Sequence, residues 1–184
     1  RLLNMMGAYF APPELAMPAN DNNEKGYWER WDVFGLHEDM LRELGWAWDR
    51  ISRFDAQRLV GPDFVAKFRP QAEKILLDLD ARRPWMLKDP RINLLLPFWK
   101  PLLEAPVCVH VHRSPIQVAQ SLHQREDFPL SLWLALWEQY SLLGLAHSEA
   151  IPRLLVSYHD LMTQPVETTQ RLHAQLMELQ VQGL

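Results

Sequence analysis

The chain has one cysteine, Cys108, so no internal disulfide is possible, and it contains no N-x-[ST] sequon. Both absences point to a reducing, cytoplasmic setting. There is no basic excess: 19 Lys and Arg face 23 Asp and Glu, for a net charge of −4 and a pI near 6.0. A broad field for nucleic acid is thereby excluded, and any anion site must be local, built from a few placed cations and backbone amides. No apolar run reaches the length of a membrane span; the best, Ile92–Trp99, is broken by Pro97. HExxH, CxxC, GxSxG, Walker A and GxGxxG motifs are all missing. The seven histidines are scattered. His110 and His112 alternate on one strand face and read as core or near-core groups rather than metal ligands, so no metal is expected. The sequence starts at Arg1, and RLLNMMGAYF already reads as helix with a stop at Gly7, so the chain is expected to begin in mid-element.

What is present is a 48% hydrophobic chain of 184 residues, enough for one domain over residues 1–184 with a full core. Residues 11–26, rich in Pro, Asn and charge, read as a mobile loop. A helix is expected from about Asp32 to Leu44, with Gly45 as its stop. A second spans 62–81, kinked or split at Pro70. Trp85–Leu87 is a short apolar strand between prolines, followed by a helix over INLLLPFWKPLLEA, bent or interrupted at Pro97. Val107–His112 is the clearest strand; helices over 114–125 and 131–147 follow it. Trp133, Trp137 and Tyr140 share a face of the latter, as core packing. Leu154–Tyr158 is a third strand and 168–180 a last helix.

Strands alternating with helices mean an α/β fold with a parallel sheet. In such sheets ligands bind beyond the carboxyl ends of the strands. The segments to examine are therefore Lys88-Asp89-Pro90-Arg91, His112-Arg113-Ser114-Pro115 and Tyr158-His159-Asp160.

In HRSP, Ser114 is a good N-cap and Pro115 a good first helical residue. The helix start offers free N–H groups and a positive dipole end, beside an Arg113 fork suited to phosphate. Ser121 lies seven residues after the cap, about two turns on, and so faces the same way. Phosphate wall, or surface arginine with an ordinary cap and a serine bonded to a backbone carbonyl: spacing leaves both open. In KDPR, Lys88 is placed to neutralise charge on a transferred group; alternatively Lys88–Asp89 or Asp89–Arg91 pairs simply hold the turn. In EKGYWE, a Glu29 partly desolvated beside Tyr27 and Trp28 suits a general base, or is a helix-start glutamate favoured by the dipole.

Taken in order, KDPRINLLLPFW, VHVHRSPIQVAQSLHQR and LLVSYHDLMTQP resemble the sulfotransferases that use 3′-phosphoadenosine 5′-phosphosulfate (PAPS), the bacterial members above all. The resemblance covers most of residues 1–180. It implies a P-loop NTPase-like three-layer fold around a central parallel sheet, here truncated at the N-terminus. The family's first strand and its 5′-phosphosulfate loop are expected immediately upstream of Arg1. By the same resemblance, Arg113 and Ser121 bind the 3′-phosphate and Tyr158 lies near the adenine. Lys88 supports the leaving group, and Glu29 is the acidic base, with Asp89 as the other candidate because KDPR lacks a histidine. The activity implied is transfer of a sulfuryl group from PAPS to a hydroxyl or amine, releasing PAP, with no metal, no nucleic acid and no membrane span. The rivals are another P-loop enzyme such as a small-molecule kinase, with Asp89 on Mg²⁺, or a catalytically inactive fragment. The acceptor is not legible.

Overall fold

Glycines and periodic apolar residues set the helix boundaries. The computed structural model describes residues 1–21, 23–126, 128–181 and 183–184. Asn22, in the loop expected over 11–26, lies outside the described residues. The chain is mixed helix and strand and divides into two compact units: Arg1–Glu104 with Gly183–Leu184, and Ala105–Gln182.

In the first unit, α1 (Leu2–Met5) ends at Gly7, whose φ of +119° suits only glycine. A Cβ there would also lie 2.8 Å from the Gly183 carbonyl oxygen. The segment 11–26, expected to be a mobile loop, is tied down instead. Met17 N–H donates to Glu29 O and Trp31 N–H to Leu15 O, each at 2.9 Å, around an antiparallel bridge between Ala16 and Arg30.

Helix α2 (Trp31–Glu43) buries Val33, Leu36, His37, Met40 and Leu41, one stripe of a 3.6-residue period. It stops at Gly45 in a Schellman arrangement: Trp46 N–H donates to Leu41 O at 2.8 Å and Gly45 N–H to Arg42 O at 3.0 Å. A 3₁₀ turn (Ala56–Val60) leads into α3 (Pro62–Asp80), which buries Phe64, Phe68, Ala72, Ile75 and Leu79. Pro70 does not split α3, because Pro70 and Ala66, whose carbonyl loses its partner, are both exposed to water.

Trp85–Leu87, expected as a buried strand, is half-buried and reduced to one parallel bridge between Trp85 and Tyr9. Tyr9 N–H donates to Pro84 O and Met86 N–H to Tyr9 O, each at 2.8 Å, and the pairing goes no further. Helix α4 (Ile92–Trp99) continues through Pro97 and buries Leu94, Leu95, Leu96, Phe98 and Trp99. It gives way to a 3₁₀ turn (Lys100–Leu102) where Pro101 stands. Helices α2 and α3 pack together, and α4 packs on the first 3₁₀ turn.

In the second unit, β1 (Cys108–His112) runs parallel to β2 (Arg153–Ser157), with Val109 opposite Leu154 and Val111 opposite Val156. The crossover carries α5 (Pro115–His123) and α6 (Leu130–His147), which pack on each other. On α6, Trp133 and Leu136 are buried while Trp137 and Tyr140 are half-buried, a packing face as expected. Tyr158 was expected to end the last strand. It opens α7 (Tyr158–Thr163) instead, because Ser157 Oγ accepts from Asp160 N–H at 3.2 Å and caps a new helix. Helix α8 (Pro165–Glu178) lays Thr168, Leu172 and Leu176 inward. The strands are not buried throughout: Leu154 and Val156 are covered, but Val111 is 60% and Leu155 65% exposed. Among the described residues no helix is long and apolar enough to cross a membrane.

Candidate functional site

Each unit carries part of the expected site. In the first, Glu29 stands two residues before α2 and is nearly buried. Lys88 Nζ reaches it and forms an ion pair with Oε1, across 59 residues of sequence. Oε2 of Glu29 has no partner among the described residues. Trp28, just before, has φ +59°, a left-handed conformation that costs a bulky residue about 1–3 kcal/mol. Its indole N–H donates to Lys25 O at 2.8 Å, and its ring meets Phe10 at 5.1 Å.

Arg30, which spacing did not single out, anchors this corner. It is buried and donates from Nε and Nη2 to Asp32 and from Nη1 to Asp78 at 2.9 Å. Burial works against its charge, but the hydrogen bonds it donates to Asp32 and Asp78 outweigh that and hold the guanidinium above its usual value.

Asp89 is buried and fully engaged. Its Oδ1 accepts Arg91 N–H at 2.7 Å, and its Oδ2 accepts Arg91 Nη1 at 2.7 Å. His37 Nδ1 stands 3.4 Å from Oδ2, a long contact that is not aligned as a full hydrogen bond. Burial by itself raises the Asp89 carboxyl; His37 and then Arg91 reverse this and hold it at about 2. A carboxylate so held is a poor proton acceptor near neutrality, and the turn-holding role weighed for Asp89–Arg91 describes it well. Arg91 continues to Glu38 Oε1 at 2.7 Å and lies over the Phe34 ring at 4.2 Å. Trp99 Nε1–H donates to His37 Nε2 at 2.8 Å.

His37, Glu38 and Trp99 were not identified from the sequence. One signal was available: His37 is a polar residue on the apolar stripe of α2, where a buried group needs partners. An open concavity of about 540 Å³ in this unit, lined by Leu44, Arg58, Phe64 and Lys67 among others, contains none of these residues.

In the second unit, Arg113 directly follows β1. Its guanidinium lies over the Tyr158 ring at 4.6 Å, and its Nε donates to Gln117 Oε1 at 3.2 Å. Two of the expected residues, Arg113 and Tyr158, are thus brought together, with Gln117 as an addition one helical turn on. Arg113 has no carboxylate partner among the described residues. Ser114 stands at the N-cap of α5 with Pro115 after it, as expected, but its side chain makes no capping bond. Ser121 is half-buried on α5, and its hydroxyl has no hydrogen-bond partner among the described residues, so the backbone-bonded alternative is not realised.

No protein family, curated protein or solved structure matches the chain.

His110 lies apart from these groups. Its Nε2 meets Ser148 Oγ at 3.0 Å, and that hydroxyl donates to Gly144 O at 2.6 Å, so the imidazole is the donor. Burial first, and Arg153 second, push it below its usual pKa. It is a half-buried, satisfied group. Among the described residues no three His, Cys, Asp or Glu side chains are grouped to hold a metal ion.

Proposed function

We propose that the chain is a sulfotransferase domain of P-loop NTPase-like, three-layer type that moves a sulfuryl group from PAPS to a hydroxyl or amine. The observation that carries this reading is Arg113. Its guanidinium lies over the Tyr158 ring and donates at Nε to Gln117, while its charge meets no carboxylate among the described residues. An arginine ordered in this way, at the start of α5, is fit to grip an anion. The order of KDPR, HRSPIQVAQS and SYHD along the chain narrows the anion to the 3′-phosphate of PAPS.

In this mechanism the bond between sulfur and the 5′-phosphate oxygen breaks as the acceptor atom bonds to sulfur. The electron pair departs on the phosphate oxygen, giving PAP, and the acceptor proton passes to Glu29. Lys88 offsets charge on the departing oxygen, and Arg113 and Ser121 hold the 3′-phosphate. Asp89 supports the Lys88 turn. The kinase alternative needs a free carboxylate for Mg²⁺, and Asp89, engaged by Arg91, offers little support for it.

Calorimetric titration with PAP, and with ATP plus Mg²⁺, tests the reading. PAP should bind, and Arg113→Ala should weaken it about 10- to 100-fold, the range for a charge-assisted contact. Binding of ATP with Mg²⁺ in place of PAP, or PAP binding indifferent to Arg113→Ala, overturns it.

A further inference from the structure

Behind the Lys88–Glu29 pair lies a buried polar chain. The Trp99 indole N–H can only donate, and at 2.8 Å it points to His37 Nε2. That nitrogen must therefore present its lone pair, which leaves the ring's one proton on Nδ1. Nδ1 stands 3.4 Å from Asp89 Oδ2, an electrostatic contact short of a full hydrogen bond, and Arg91 closes on the same carboxylate. His37, Trp99, Asp89 and Arg91 are all buried. The charged groups around the imidazole are Asp89 in direct contact, with Arg91 and its partner Glu38 beyond.

Burying so many polar groups adds little stability over an apolar core of equal volume, but it does select one geometry. Here that geometry concerns α2. Glu29 is fixed to α2 through the chain, two residues before its first turn. Lys88 is fixed to α2 through its neighbour Asp89 and His37. Both members of the ion pair are thus referred to the same helix.

We infer that His37, oriented by Trp99, is the positioning residue that holds the Asp89 turn and so sets the Lys88 ammonium on Glu29. Its functional meaning rests on the sulfotransferase reading of that pair, but its test does not.

Two spectra carry the test. Long-range ¹⁵N imidazole correlation reads the tautomer of His37, and ¹³C-dimethylated lysine resonances, with Lys88 assigned from Lys88→Arg, read its surroundings. The wild-type ring should carry its proton on Nδ1. Glu29→Gln defines the Lys88 resonance of a broken pair. His37→Leu should move that resonance most of the way toward this value. Trp99→Phe, which keeps an aromatic ring and removes only the donor, should move it in the same direction. His37→Asn, whose amide can replace the Nδ1–H donor, should leave it near wild type. PAP titration of the wild type is run alongside, as the separate check on the sulfotransferase reading. A proton on Nε2 in the wild type overturns the inference, as does a folded His37→Leu protein with an unmoved Lys88 resonance. Should His37→Leu fail to fold, Trp99→Phe with an unmoved resonance overturns it instead. Failure of PAP to bind removes the sulfotransferase reading and leaves this result standing.

Discussion

Asp89 shows how one side chain's environment fixes its use. Its carboxyl is held at about 2 in the folded chain, against an ordinary 3.8. As pH falls, the unfolded chain takes this proton first, so acid favours unfolding. The stabilisation is complete above 3.8 and is lost as pH falls toward 2. A difference of this size corresponds to about 2 kcal/mol. Urea unfolding of wild type and Asp89→Asn at pH 7, 4 and 2.5, followed by a signal from the first unit, should show the advantage of wild type shrinking only below pH 4. A constant gap across that range would mean that the carboxylate is not held as described. At this scale the sequence was partly legible. Lys88, Arg113 and Tyr158 stood out because they follow short apolar runs. Arg30 and His37 did not, because the partners that bury them, Asp78 and Trp99, lie 48 and 62 residues away in the sequence.

Among the elements, α2 was the most legible, since its apolar stripe and Gly45 stop are both local signals. The stop makes a paired test possible. Gly45, with φ +77°, should lose about 1–2 kcal/mol on replacement by alanine, because the left-handed region disfavours a Cβ. Gly35, inside the same helix with nothing within 4 Å of a Cβ, should gain about 1 kcal/mol from the same change. Denaturant midpoints of the two variants should therefore move in opposite directions. Trp85–Leu87 was misread because an apolar run between prolines looks like a strand whether or not neighbours exist to extend it. It pairs only at Trp85 with Tyr9. Neither Pro70 nor Pro97 interrupts its helix, for a different reason: a helix survives proline where packing on either side holds it and water serves the freed carbonyl. The β1 and β2 assignments held to within a residue or two, while Tyr158 passed to α7 through the Ser157 cap, a short-range bond that the apolar run masked.

At the scale of the molecule, the two units carry different acid sensitivities. His110, in the second unit, sits below its usual pKa because of burial and Arg153. An unfolded chain therefore takes that proton first as pH falls through about 6.5, which destabilises the second unit in mild acid. In the first unit, Asp89 responds only below 3.8. Hydrogen exchange at pH 7 and pH 5, corrected for intrinsic rates, should show amides of β1 and β2 losing protection while those of α2 and α4 keep theirs. His110→Gln should abolish the difference.

The exposed positions on the parallel pair have a colloidal consequence. Residues 107–111, VCVHV, combine β-branched side chains with no carboxylate, lysine or proline, and Val111 is 60% exposed on a strand that pairs only with β2 among the described residues. Short stretches of that kind template stacking between copies. Arg113 stands directly beyond the run, and Arg153 opposite its start, where like charges from neighbouring copies would repel. A cation at that position would oppose the growth of such a stack, and an anion that neutralises it would lower that barrier.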